Sequence, residues 1–114
     1  MRFWEQDDFY GVDFSPLAKD AKEEIFSQPV VGGFDARILL SPASSYMVDF
    51  RTITKEEIQN ITIPFTWVAQ YTGLVHGIAA WFDINLGGYI LSTAPHTDKT
   101  HWHQVRLLLK GFDI

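Results

Sequence analysis

The sequence predicts a mostly β domain of antiparallel strands, led by an aromatic, helical N-terminal segment. Three observations predict it. Residues 61–72 alternate, with Ile61, Ile63, Phe65, Trp67, Ala69 and Tyr71 on one side and Thr62, Pro64, Thr66, Val68, Gln70 and Thr72 on the other. Residues 74–86 are nearly continuously apolar and stop at Gly87-Gly88, a hairpin signal. Helical spacing sustained over several turns occurs once, just before Gln28-Pro29.

Along the chain, residues 1–14 mix Phe3, Trp4, Phe9, Tyr10 and Phe14 with Glu5, Asp7, Asp8 and Asp13. So many rings either pack within the chain or dock on something else. Ser15 is an expected N-cap and Pro16 an expected first helical residue. Leu17, Ala18, Ala21 and Ile25 then share one face, with Lys19, Lys22 and Glu23 away from it. Gln28-Pro29 ends the helix, because a residue before proline avoids the helical region. Residues 37–40 and 45–50 read as short strands. Thr54-x-x-Glu57 is a capping-box pattern, so one helical turn follows it. Residues 61–72 form the best strand pattern, with Pro64 marking an edge or a bulge. Residues 74–86 read as one long strand, bent at Gly77, and residues 89–94 as its hairpin partner. In residues 101–110, His101, His103, Val105, Leu107 and Leu109 alternate onto one face of a last strand.

Composition narrows the function classes. The chain has 114 residues, 46% of them hydrophobic, 15% aromatic and 20% charged, which fits one folded domain. A net charge of -5 argues against direct nucleic-acid binding. The absence of cysteine removes disulfides, thiolate metal sites and thiol catalysis. No apolar run reaches the ~20 residues of a membrane span. Glycine-rich cofactor and phosphate loops are also missing.

The densest chemistry is His96-Thr97-Asp98-Lys99-Thr100-His101-Trp102-His103. A metal reading would use His101 and His103 as in cupin barrels, but no Glu follows at the needed spacing. The expectation is therefore no metal site. Another reading is acid–base work by a loop histidine, and a third is solvated or packed histidines. Asp83 sits in an apolar run, and Arg106 or Arg37 is its expected structural partner. Ser92-Thr93 looks like a nucleophile pair but lacks the G-x-S-x-G elbow.

Several stretches together resemble one family. They are His76-Gly77-Ile78-Ala79-Ala80-Trp81-Phe82-Asp83, Leu91-Ser92-Thr93-Ala94-Pro95 and Thr100-His101-Trp102-His103-Gln104-Val105-Arg106. These resemble the C-terminal β-barrel of the protein arginine N-methyltransferases, whose signature loop is the Thr-His-Trp triplet after a Ser-Thr-x-Pro turn. Tyr10-Gly11-Val12-Asp13-Phe14-Ser15-Pro16-Leu17 and Phe34-Asp35-Ala36-Arg37-Ile38-Leu39 look most like the coactivator-associated, histone-modifying type.

The resemblance implies a partial antiparallel β-barrel or sandwich over residues 30–114. Residues 1–29 would form a dimerisation arm that carries Phe3, Trp4, Phe9, Tyr10 and Phe14. The family, here of type I, moves a methyl group from S-adenosylmethionine to an arginine guanidinium. Its cofactor domain precedes the barrel, so the resemblance implies an inactive fragment with no cofactor-binding residues of its own. His101 would be the catalytic loop histidine, paired with an acid of the cofactor domain. Trp102 would wall the arginine pocket, and Thr100 would fix the loop. Implied partners are another copy of the chain and histone-like arginine-bearing proteins, in the nucleus or cytoplasm. The alternatives from the residues alone are a non-catalytic interaction module and a cupin-like metal barrel.

Overall fold

The computed structural model describes residues 2–110, which divide into two units: residues 2–36 with 74–110, and residues 37–73. The regular elements are chiefly antiparallel strands with a short N-terminal helix, and the sheets do not close into a barrel.

In the first unit, a 3-10 turn at Arg2–Glu5 and another at Ser15–Leu17 pack beside helix α1, Ala18–Ser27. Ala18, Ala21 and Ile25 are its half-buried face, as the spacing predicts, whereas Leu17, expected on the same face, precedes the helix and is exposed. Pro16 lies in the first turn of the 3-10 segment that leads into it. Ser15 is not the N-cap. Its hydroxyl donates to Asp13 Oδ1 at 2.6 Å, and the residue capping α1 is Leu17, without a side-chain bond. Gln28 is extended, at φ -134° and ψ 152°, and the helix stops where proline requires. The arm rings pack on one another: Phe3 lies 5.2 Å from Trp4 and 5.3 Å from Phe9, and Phe9 stacks on Phe14 at 5.2 Å. Tyr10 meets Phe9 edge-on at 4.9 Å but is itself 94% exposed, at φ 52° in a tight turn where Phe9 and Val12 exchange both backbone bonds.

Strand β1 (Val30–Val31) and β2 (Gly77–Ala80) flank β5 (Val105–Leu108), both antiparallel, in the order β1-β5-β2. Strands β3 (Asp83–Leu86) and β4 (Tyr89–Ser92) form a separate hairpin. Its two-residue turn has φ 59° at Gly87 and 92° at Gly88, positive values that glycine adopts at low cost. Among the described residues, Thr93 and Ala94 are the buried ones, at 1% and 5% exposure. They lie directly after β4, so the best-packed point of this unit borders the histidine-rich loop.

Several expected strands are corrected. The apolar run 74–86 is two strands, because the chain leaves β2 at Trp81-Phe82 and starts the hairpin. Gly77 is the first residue of β2 and not a bend within one strand. The last strand covers Val105–Leu108 alone, so His101 and His103 stand in a loop, both exposed. Asp83 pairs with neither arginine. It is exposed and accepts a 2.5 Å hydrogen bond from Ser92 Oγ, its cross-strand neighbour.

The second unit holds α2, Lys55–Gln59, whose capping box is complete: Thr54 Oγ1 accepts from Glu57 N, and Glu57 Oε2 accepts from Thr54 N. Residues 37–40, 45–50 and 61–72 are not strands. A strand needs a ladder partner, and the second unit supplies a single backbone bond of this kind, from Gln70 N to Leu40 O at 2.8 Å. The alternating pattern still decides which side chains engage. Phe65 stacks on Trp67 at 4.0 Å, Trp67 Nε1 donates to Ser44 Oγ, and Tyr71 Oη donates to the Leu39 carbonyl.

Candidate functional site

Residues 94–103 link β4 to the approach of β5. The loop starts as a hydroxyl-stabilised turn, in which the Thr97 amide and hydroxyl both donate to Ala94 O, at 3.2 and 2.9 Å. A second local motif sits at the tip. Thr100 Oγ1 accepts from Trp102 N and donates to Trp102 O, both at 3.2 Å. One hydroxyl thus bridges His101 and holds it at the apex, exposed. Trp102 is half exposed, at 51%, and meets the Phe82 ring edge-on at 6.1 Å.

Beside the loop lies an open depression of about 410 Å³. Phe34, Asp98, Lys99, Thr100, Trp102 and His103 line part of it, so it combines aromatic rings with one carboxylate and one ammonium group. The rings suit a flat group, while Asp98 and Lys99 offset one another in charge. Thr100 and Trp102 therefore come together on one wall, whereas His101 does not line the depression. A depression of about 460 Å³ in the second unit, between residues 42–44 and 66–70, has no titratable side chain and so no acid–base chemistry to offer.

The base of the loop depends on Gln104 and Arg106, to which the sequence assigns no catalytic or binding role. Gln104 Nε2 donates to Thr93 O at 2.7 Å, and the Gln104 carbonyl accepts from Gly32 N. Arg106 lies under the same corner, its guanidinium carbon 5.8 Å from the Phe34 ring centroid and its buried Nε without a hydrogen-bond partner. His96, His101 and His103 are exposed, and no three His, Asp or Glu side chains among the described residues gather into a metal-binding group.

Comparison with known proteins identifies what carries this loop. The family described as the arginine methyltransferase oligomerization subdomain matches residues 1–111. The chain belongs to that family. A probable histone-arginine methyltransferase CARM1 from Oryza sativa subsp. indica is 45% identical over 111 residues. A probable histone-arginine methyltransferase 1.4 from Arabidopsis thaliana and the histone-arginine methyltransferase CARMER of Drosophila yakuba are each 40% identical over 111 residues. Each alignment covers 94% of this chain and 21% of the relative, so the chain spans about a fifth of the length of those relatives. The Thr-His-Trp loop thus sits within an oligomerization subdomain, with the ring cluster of residues 3–14 in the same matched span.

Proposed function

We propose that this chain is the oligomerisation and substrate-facing part of a type I histone-arginine methyltransferase, acting in the nucleus or cytoplasm. The whole protein would transfer a methyl group from S-adenosylmethionine to a guanidinium nitrogen of a protein arginine. The observation that carries this reading is the family match over residues 1–111, with Thr100, His101 and Trp102 presented together at the loop tip. The rings of Phe34 and Trp102 suit a flat guanidinium, and the net charge of -5 suits basic histone tails.

In this reading Trp102 offers a ring face to the arginine and Thr100 fixes the turn. His101 holds or passes a proton with a carboxylate supplied by another part of the enzyme. Residues 1–29 act as the dimerisation arm and residues 30–114 as the barrel portion.

The residues of this chain do not fit S-adenosylmethionine. Neither helix starts from a glycine-rich strand–helix turn, since α1 follows Leu17 and α2 follows Thr54. The cofactor is assigned to the remainder of the enzyme, and calorimetric titration of this chain should give no heat of cofactor binding.

The test is a chimera. The matching segment of the rice relative is replaced by this chain, and transfer of labelled methyl groups to histone is measured. Methylation by the chimera is expected. A folded chimera that is inactive beside an active rice enzyme would overturn the proposal.

A further inference from the structure

The most buried side chain in the described chain is a threonine with no role in the chemistry above. Thr93 is 1% exposed, yet all its polar atoms are bonded. Its position in the hairpin explains how. Leu86 and Tyr89 flank the two-residue turn, and antiparallel pairs then alternate between those that exchange backbone bonds and those that do not. Counting back from the turn, Phe82 and Thr93 fall where both backbone bonds should be exchanged. One is present, from Thr93 N to Phe82 O at 3.1 Å. The other is taken over by the side chain: Phe82 N donates to Thr93 Oγ1 at 3.1 Å, and that hydroxyl donates to Phe82 O at 2.7 Å.

This substitution releases the Thr93 carbonyl from the hairpin. It accepts instead from Gln104 Nε2 at 2.7 Å. Thr93 immediately precedes the loop and Gln104 immediately follows it, so this bond closes residues 94–103 at their base, as in a compact Ω-type loop. Phe82, held twice by the same hydroxyl, is also the residue whose ring supports Trp102.

We propose that Thr93 is a positioning residue, which clasps the loop carrying Thr100, His101 and Trp102 through Gln104 and Phe82. The link to turnover rests on the methyltransferase reading; the clasp does not. Thr93→Val keeps the shape of the side chain and removes the hydroxyl. Phe82 N then recovers its ordinary partner, the residue-93 carbonyl, and Gln104 loses it. The hairpin survives while the loop opens.

The test has two arms. In this chain, amide hydrogen exchange over residues 95–103 is compared with that over β3 and β4. Thr93→Val should raise loop exchange about tenfold, the loss of one buried hydrogen bond, with the hairpin unchanged. Thr93→Ser, which keeps the hydroxyl, should restore protection to within about twofold. Gln104→Leu breaks the clasp from the other side and serves if Thr93→Val does not fold. The double variant should loosen the loop no further than either single one, because both remove the same bond. Unchanged loop exchange in Thr93→Val or Gln104→Leu would overturn the proposal. In the rice chimera, Thr93→Val should lower kcat about tenfold with KM within about twofold, since the loop would be misplaced for the reacting step. Faster exchange with unchanged kcat would keep the clasp and overturn the assignment of His101 and Trp102 to turnover.

Discussion

A glycine at position 77 is forced by a single missing atom. A Cβ there would lie 2.2 Å from the Leu107 carbonyl oxygen and 3.0 Å from its carbon, and the neighbour is backbone that cannot rotate aside. Gly77→Ala should therefore separate β2 from β5 and cost more than about 2 kcal/mol, read as a lowered denaturation midpoint. An unchanged midpoint would contradict the close approach of the two strands. At the loop tip the opposite holds. His101 is exposed and Trp102 half exposed, so His101→Ala and Trp102→Ala should shift stability by about 0.5 kcal/mol or less. In the rice chimera the same changes should lower turnover at least about tenfold. Wild-type turnover in a folded variant would remove the residue from the proposed chemistry.

At the scale of elements, the second unit offers a pH-dependent device that the sequence made visible. The Thr54 amide, donating to the Glu57 carboxylate, holds that carboxyl below its ordinary value of 4.5. The folded value is depressed, so the stabilisation is present above 4.5 and is lost as the pH falls through the lower folded value. Amide shifts of α2 should report fraying in that acid window. Thr54→Val should fray α2 already at pH 7; equal helicity in the variant would mean that the cap does not hold the turn. Capping boxes are legible because Thr54 and Glu57 are near in sequence and need no distant partner. The Gly87-Gly88 turn and the proline-terminated α1 were legible for the same reason. Residues 61–72 were not, because alternation specifies a face and not the strand that pairs with it. Phe65 and Trp67 do stack, but residues 61–72 are all exposed, so neither the ladder nor the buried face that alternation implied is formed. Nothing local foretells the clasp either: Ser92-Thr93 reads as a nucleophile-like pair and as part of the Ser-Thr-x-Pro turn, and the bond from Gln104 to Thr93 depends on how β4 and β5 are placed. The tip was legible as a motif, Thr-His-Trp, whereas the base that holds it was not.

For the molecule as a whole, the decisive quantity is surface. Large apolar side chains stand exposed in both units, among them Tyr10, Val31, Met47, Phe50, Leu74 and Ile90. The strand edges add to it, since β3 and β4 each have one free edge and β1 and β2 bound their sheet. The family to which the chain belongs is an oligomerization subdomain, so association agrees with its kind. Isolated chain should accordingly self-associate, by pairing of free edges or by exchange of the aromatic arm. Light scattering should give a mass above that of one chain, rising with concentration. The driving force is burial of apolar surface, so moderate sulfate should strengthen it, whereas an association held by ion pairs would weaken with salt. Phe3→Ser with Phe9→Ser would dissolve the ring cluster of the arm and should reduce the mass if the arm is exchanged. An unaltered mass would point to edge pairing, and a single-chain mass in the unmodified protein at high concentration would refute association altogether.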